Sequence, residues 1–337
     1  MKIAIIGSYS EDCLEFHLKY TLEKMGNYVE VFGKQSLPWC FNGSRLGFLS
    51  DFLSDRFIKC EYFIYTQLAK KIIEYKPDLV LGVSRNISPI VLKILRTGLS
   101  KTKIVHLNPD AMLTIGRQRI FAAEYDAYFT KDKYMARIMK NKMGFNVFYL
   151  PECFNPDYHK RPLLSKKDAE KNTKIDVMAI GSLYPYRSMF LKRLIDRGLD
   201  IKIYGNRAYY PFPELEPYFT GEFVTGAKKS ELFYGAKIIL NNMHYAEVES
   251  VNCKFFEIMG SGGFQICDYN PAVSSLAIIN KEIVCFNSID EAYNVIQYYL
   301  EDEKSRHDIA EAGFCRATQE HTYEKRLATM LEIIESL

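Results

Sequence analysis

The sequence has no pair of cysteines at Cys-x-x-Cys spacing, a single tryptophan and almost no net charge. Its eight cysteines (Cys13, Cys40, Cys60, Cys153, Cys253, Cys267, Cys285 and Cys315) lie scattered along the chain. Structural zinc needs clustered ligands at short spacing, so a zinc module is excluded, and the histidines add no metal spacing. Several cysteines sit in apolar runs and read as small buried hydrophobes, with a reducing, cytoplasmic location expected. The 44 Lys and Arg against 41 Asp and Glu leave a net of +3. That argues against a nucleic-acid coat or a binder of anionic membranes, while a local basic site for a small anion stays open. No run approaches the roughly 18 apolar residues of a membrane span, which leaves only peripheral membrane contact open. The apolar start, MKIAIIGS, is too short for a signal peptide and reads as a strand. Neither G-x-G-x-x-G nor a Walker lysine motif occurs, so dinucleotide and P-loop readings are poor.

What is present is an ordinary globular composition, 48% hydrophobic and 25% charged. A length of 337 residues exceeds what one core usually supports, so two domains are expected. The 24 tyrosines mostly mean packing, yet tyrosine also suits polar ring-shaped ligands through its apolar face and hydrogen-bonding tip.

Short apolar runs alternate with helical patterns, the signature of parallel α/β architecture. In the first half strands are predicted at Ile3–Ile6, Tyr28–Phe32, Asp78–Ser84, Lys103–Asp110, Tyr125–Thr130 and Asn146–Glu152. Helices are predicted at Cys13–Met25, Asp51–Tyr75, Ile87–Leu95 and Lys131–Asn141, and Lys34–Phe48 reads as an irregular loop. Residues 153–173 carry two prolines and clustered charge and read as a linker. The alternation then restarts, with strands at Lys174–Ser182, Asp200–Asn206, Ala236–Asn242 and Phe264–Asp268. Helices are predicted at Ser188–Arg197, Lys229–Tyr234, Asn252–Met259, Ile289–Glu301, Glu303–Ala312 and Tyr323–Ser336. The outline is a GT-B protein: two Rossmann-like domains, 1–152 and 174–320, facing each other across a ligand cleft. The final helix, 321–337, is expected to return to the first domain.

The most informative segment is AEVESVNCKFFEIMGSGGFQICD, Ala246–Asp268. It holds Glu249 and Glu257 eight positions apart and opens a helix that Ser250 or Asn252 can cap. The backbone N–H groups around Val251–Cys253 and the helix dipole make an anion site there. Lys254 is in reach of a phosphate, and Glu257 could accept two hydrogen bonds from a ribose. The bland alternative leaves these carboxylates solvated, although Glu257 is embedded in FFEIMG. A second unit, IGSLYPYRSMFLKRL (Ile180–Leu194), places Gly181 and Ser182 for close backbone approach. Arg187 there suits a diphosphate or, alternatively, a surface carboxylate. A third, Thr220–Lys237 with Val224, could set loop backbone against a nucleobase. In the first half, Gly7–Ser8 is a weak glycine-loop signal. His106 and Asp110 end a strand facing the expected cleft, Asp110 as a base or sugar-orienting group. A core histidine and a loop-capping aspartate are the alternatives. Ser84–Arg85–Asn86 is a further acceptor-side candidate, and His321 is expected to serve packing of the final helix.

These segments, from about Asp176 to the C-terminus, resemble GT-B glycosyltransferases, and more narrowly the CgeB-like (spore maturation protein) group. The pieces are DVMAIGSLYPYRSMFLKRL, LDIKIYGN, SELFYGAKIILNN, VNCKFFEIMGSGGFQICD and IAEAGFCRATQEHTYEKRLATML. The resemblance implies sugar transfer from a nucleotide-diphosphate donor, expected to be a UDP-sugar, to a glycan, glycolipid or protein acceptor. Glu249 and Glu257 match the E-x7-E motif of retaining enzymes, which implies Glu257 on the donor ribose and Glu249 on sugar hydroxyls. Arg187 and Lys254 would then hold the diphosphate in place of a metal, with no tightly bound cofactor. Two departures stand out: Ser250–Val251–Asn252 follow Glu249 where Phe-Gly is usual, and Lys254 stands where the group tends to have Arg. An epimerase-like GT-B enzyme and a non-catalytic nucleotide-sugar-binding module are the alternative functions.

Overall fold

The structure is a computed structural model and describes residues 1–37, 52–53, 56–83, 87–111, 116–207, 210 and 212–337. The chain divides into two compact units, Met1–Leu150 with Leu327–Leu337, and Pro151–Arg326.

The first unit runs β1 (Lys2–Ile6), α1 (Leu14–Lys24), β2 (Tyr28–Phe32), α2 (Ile58–Tyr75) and β3 (Leu79–Gly82). It continues with α3 (Pro89–Gly98), β4 (Lys103–Asn108), β5 (Ala127–Thr130), α4 (Lys133–Met143) and β6 (Val147–Tyr149). The second unit holds α5 (Lys166–Thr173), β7 (Val177–Ile180), α6 (Pro185–Ile195), β8 (Ile201–Tyr204), α7 (Gly226–Gly235) and β9 (Ile238–Asn241). Then come α8 (Cys253–Gly260), β10 (Gln265–Asp268), α9 (Val273–Leu276), β11 (Val284–Phe286), α10 (Ile289–Glu301) and α11 (Glu303–Glu320). Helix α12 (Tyr323–Glu335) starts in the second unit, and its residues from Leu327 onward belong to the first.

Each unit has one sheet, ordered β2-β1-β3-β4-β5-β6 and β11-β10-β9-β7-β8, with every neighbouring pair parallel. Parallel neighbours need long crossovers, which the helices supply, and helices on both faces leave the strands without a solvated side. That is why LVLG, AYFT, VMAI and IILN are buried at every position. The two orders are the same pattern. In each sheet the first strand lies between the second and the third, so chain direction across the sheet reverses once. The reversals fall between β1 and β3, and between β7 and β9. Each unit also has its own apolar core, Ile6, Leu68, Val80 and Ile104 in the first and Ala179, Leu191, Ile203 and Phe264 in the second.

Three local differences from the sequence reading have physical causes. Residues 153–173 are not a bare linker, because Lys166–Thr173 is helical, capped by the Ser165 side chain on Asp168 N. The charges of that segment are anchored within the second unit. Arg161 pairs with Glu311 at 2.7 Å, Lys166 donates to Tyr234 O at 2.5 Å, and Glu170 pairs with buried Arg306 at 3.1 Å. Helix α6 begins at Pro185 rather than Ser188, since proline at the first helical position has no N–H to satisfy. The unanticipated β11 and α9 are three and four residues long, too short for a periodic signal. Of the expected loop Lys34–Phe48, Lys34–Ser36 form a single short turn of 3₁₀-helix, and residues 38–48 lie outside the described residues.

Candidate functional site

In open α/β sheets ligands bind beyond the carboxyl ends of the strands where the strand order reverses. In the second unit that place is the end of β7, at Gly181–Ser182, beside the end of β9, at Asn241–Asn242. Arg187 spans it from the first turn of α6. Its guanidinium donates to Ser182 O at 2.8 Å and to Asn242 O at 2.7 Å, tying the two strand ends together. The Tyr184 ring lies beneath it, 4.6 Å from the guanidinium carbon. Arg187 is buried, and burial holds its pKa below the usual value while Tyr184 and Asp268 oppose the shift. It is therefore a built-in cation at the sheet's edge rather than one half of a surface ion pair. Asp268, at the end of β10, fixes the same corner. Its carboxylate accepts from Asn242 Nδ2 at 3.0 Å and Met243 N at 2.5 Å, and burial pushes its pKa up to about 6.

A second cation converges on the same point. Lys254, in the first turn of α8, donates to Ile180 O at 2.8 Å. A methyl group built on Gly181 would lie 2.8 Å from Lys254 Nζ and 3.0 Å from Arg187 Nη1. Gly181 has φ of +119°, and a Cβ on its neighbour Gly205 would lie 2.5 Å from Gly181 O, so this turn accepts no side chain. Burial, followed by the Arg187 guanidinium, pushes the Lys254 pKa down to about 7. Two cations forced together in a poorly solvated corner favour an anion between them. Helix α8 adds its positive end. Asn252 caps it through Phe255 N at 3.1 Å and shares paired amide hydrogen bonds with Asn241 at 3.0 and 3.3 Å.

Glu257 lies one turn beyond Lys254 on the same helix face, roughly 4.5 Å further along the axis. It is buried, with one carboxylate oxygen 3.2 Å from Lys229 Nζ of α7 and the other 3.8 Å from His159 Nε2. A solvated face is excluded for it. Glu249 is half-buried in the loop between β9 and α8, a loop pinned by the Ser250 hydroxyl on Glu247 and by Asn270 Nδ2 on Ser250 O at 2.9 Å. The Val224 side chain is core, packed with Ile180, Tyr204 and Phe233, which leaves only its backbone for a ligand. Ser182 is exposed and takes part through its carbonyl. The sequence reading missed Lys229 and His159. Only the fold brings α7 and the 153–173 segment against α8, so no local pattern announces them.

Most of the remaining candidates belong to the first unit. His106 is fully buried in β4, its ring 5.0 Å from that of Tyr125 and 6.4 Å from that of Tyr128. Its packing matches the core-histidine alternative of the two readings. Asp110 sits in the loop after β4, its backbone N–H donating to Asn108 Oδ1 at 3.3 Å and its carbonyl accepting from Asn108 Nδ2 at 2.7 Å. The Gly7–Ser8 loop is filled from within: Glu15 accepts from Ser8 N at 2.9 Å, and a Cβ on Gly7 would clash with that carboxylate. Ser84–Arg85–Asn86 lie outside the described residues. His321 is buried, donates to Leu276 O at 2.8 Å through Nε2, and packs 5.0 Å from Phe256. The carbonyl can only accept, so that nitrogen carries the proton. Burial pushes its pKa down to about 4, leaving it a neutral packing group.

Residues 187–332, the stretch that contains Arg187, Lys229, Lys254 and Glu257, match a family model described as glycosyl transferase-like. Solved structures resemble the whole chain. Sucrose-phosphate synthase from Thermosynechococcus elongatus superposes with a TM-score of 0.71 at 12% identity, covering 100% of this chain and 98% of its own. Anabaena HepE in complex with UDP and glucose gives 0.69 at 13% identity, with 100% of both chains covered. A glycosyltransferase from Rickettsia africae gives 0.67 at 12% identity, covering 99% and 98%. The fold is GT-B. Within it, the corner built by Arg187 and Lys254 belongs to the C-terminal of the two α/β units of this GT-B chain. No curated protein matches the sequence significantly.

Proposed function

We propose that the chain is a glycosyltransferase that holds a UDP-sugar on its second unit and transfers the sugar to a glycan, glycolipid or protein acceptor. The observation that carries this reading is the convergence of Arg187 and Lys254 on the side-chain-free turn at Gly181, at the switch between β7 and β9. A nucleotide diphosphate supplies two negative charges at one end and a ribose diol a few ångströms away. Arg187, Lys254 and the N-terminus of α8 offer the matching positive charge, and Glu257 one turn along α8 offers the acceptor for the diol. As the bond from sugar to diphosphate breaks, negative charge grows on the departing phosphate, and fixed cations in a poorly solvated corner stabilise it most there. Those cations take the part a metal plays elsewhere, so transfer is expected without one. Glu249 is proposed to position hydroxyls of the donor sugar, with retention of configuration. Asp110 is proposed to orient the acceptor hydroxyl. The HepE structures hold UDP with glucose, UDP alone and UDP-glucose, which supports a uridine donor here.

The test is a thermal-shift panel of nucleotides and nucleotide sugars on the wild type and on Glu257→Ala. Stabilisation by UDP and a UDP-sugar, reduced in the variant, is expected, followed by slow donor hydrolysis in the presence of EDTA. If no nucleotide diphosphate stabilises the wild type, the reading fails. Binding with neither hydrolysis nor transfer would favour a non-catalytic nucleotide-sugar-binding module.

A further inference from the structure

The residue that faces the proposed ribose ligand is itself unassigned. Lys229 projects from α7, is buried, and places Nζ 3.2 Å from one oxygen of Glu257, while His159 Nε2 stands 3.8 Å from the other. A buried ion pair is a poor source of stability, since removing two charges from water costs about what their attraction returns. What the arrangement does achieve is geometric and electrostatic. It sets a positive charge beside one carboxylate oxygen of Glu257, and it fixes the carboxylate plane from a neighbouring helix. An ionised carboxylate accepts hydrogen bonds at both oxygens, as adjacent hydroxyls require, whereas a protonated one loses an acceptor and turns donor. Lys254 lies one turn before Glu257 on α8, so a fixed carboxylate plane also fixes the distance from the diol to the phosphate-binding cations.

We propose that Lys229 is a positioning residue that holds Glu257 charged and aimed to accept both hydroxyls of the donor ribose. The proposal rests on the reading of Glu257 as the ribose ligand, and it assigns ribose selectivity to a pair of residues on two helices. Lys229 acts through Glu257 and has no direct part in transfer.

The experiment measures binding of UDP and of 2′-deoxy-UDP to the full chain by calorimetry, for the wild type, Lys229→Met, Lys229→Gln and Lys229→Arg. The wild type is expected to prefer UDP by roughly tenfold or more, the range for losing one hydrogen bond to a charged group. Lys229→Met and Lys229→Gln should bring that preference to within about twofold, chiefly by weakening UDP, while Lys229→Arg restores most of it. A preference that survives intact in both neutral variants, with UDP and 2′-deoxy-UDP weakened alike, would show a merely structural residue and overturn the proposal. A wild type that binds both nucleotides equally would remove the ribose role of Glu257, and the proposal with it, while leaving diphosphate binding standing. A wild type that binds neither would overturn the donor reading itself. The Gln variant, which keeps a donor and most of the bulk, serves where Lys229→Met does not fold.

Discussion

Binding of UDP should take up a proton, and Lys254 should be its source of pH dependence. In the free protein burial and Arg187 hold its pKa at about 7. Burial disfavours the charged form of this base, so it is mostly neutral at pH 8. A diphosphate beside Nζ favours the ammonium and raises the pKa toward the ordinary lysine value of about 10.4. The difference in bound protons then gives the size of the effect: about 0.9 proton taken up per UDP at pH 8, about 0.5 at pH 7 and about 0.1 at pH 6. Affinity should accordingly fall by up to about tenfold per pH unit between roughly pH 7.5 and 9.5, and level off below pH 6.5. Calorimetric titration at pH 8 in two buffers of different ionisation enthalpy reads the uptake directly. The terminal phosphate of UDP titrates near pH 6, by analogy with other phosphate esters, and contributes little at pH 8. Lys254→Arg supplies the control, because a guanidinium stays charged throughout and its pH profile should be nearly flat. Equal heats in the two buffers, or the same profile for wild type and Lys254→Arg, would refute the reasoning.

Other expectations follow from the same geometry. Arg187→Met removes the bonds to Ser182 O and Asn242 O and should cost about 2–4 kcal/mol of stability, seen as a lowered thermal midpoint, together with most UDP affinity. Gly181→Ala forces a Cβ into a turn at φ +119° and against both cations, so it should destabilise the fold by about 1–2 kcal/mol and weaken UDP at least tenfold by calorimetry. For His321 the folded pKa, about 4, lies below the unfolded value near 6.5, so the unfolded chain binds more protons between those limits. Stability from this site is intact above about pH 6.5 and is lost as pH falls toward 4, by up to about 3 kcal/mol. The difference in thermal midpoint between wild type and His321→Asn should therefore shrink as pH falls through that window.

How much of this was legible beforehand depended on whether the signal was local. The buried strands VMAI and IILN announce themselves as short apolar runs bounded by turn residues, and helices α5, α8, α10 and α11 each start at a capping Ser, Asn or Asp. Arg187 and Lys254 are marked by position alone, each standing in the first turn of a helix. What failed to show was anything decided by distant packing. Lys166 and Glu170 look like solvated linker charge until Tyr234 and Arg306 are folded against them. His106 at a strand end leaves a ligand-facing and a core reading open, and the rings of Tyr125 and Tyr128 around it come only with the fold. Lys229 stands in a polar stretch, AKKSEL, where nothing separates the lysine that pairs with Glu257 from exposed Lys228 beside it.

The central claim is that the second unit binds a nucleotide diphosphate through Arg187, Lys254 and Glu257, and a crystal structure of the protein with UDP tests it most directly. The account predicts the diphosphate beside Gly181 within hydrogen-bond distance of Arg187 and Lys254, with the ribose diol on the Glu257 carboxylate. UDP bound elsewhere, with none of these three side chains touching it, would contradict the account.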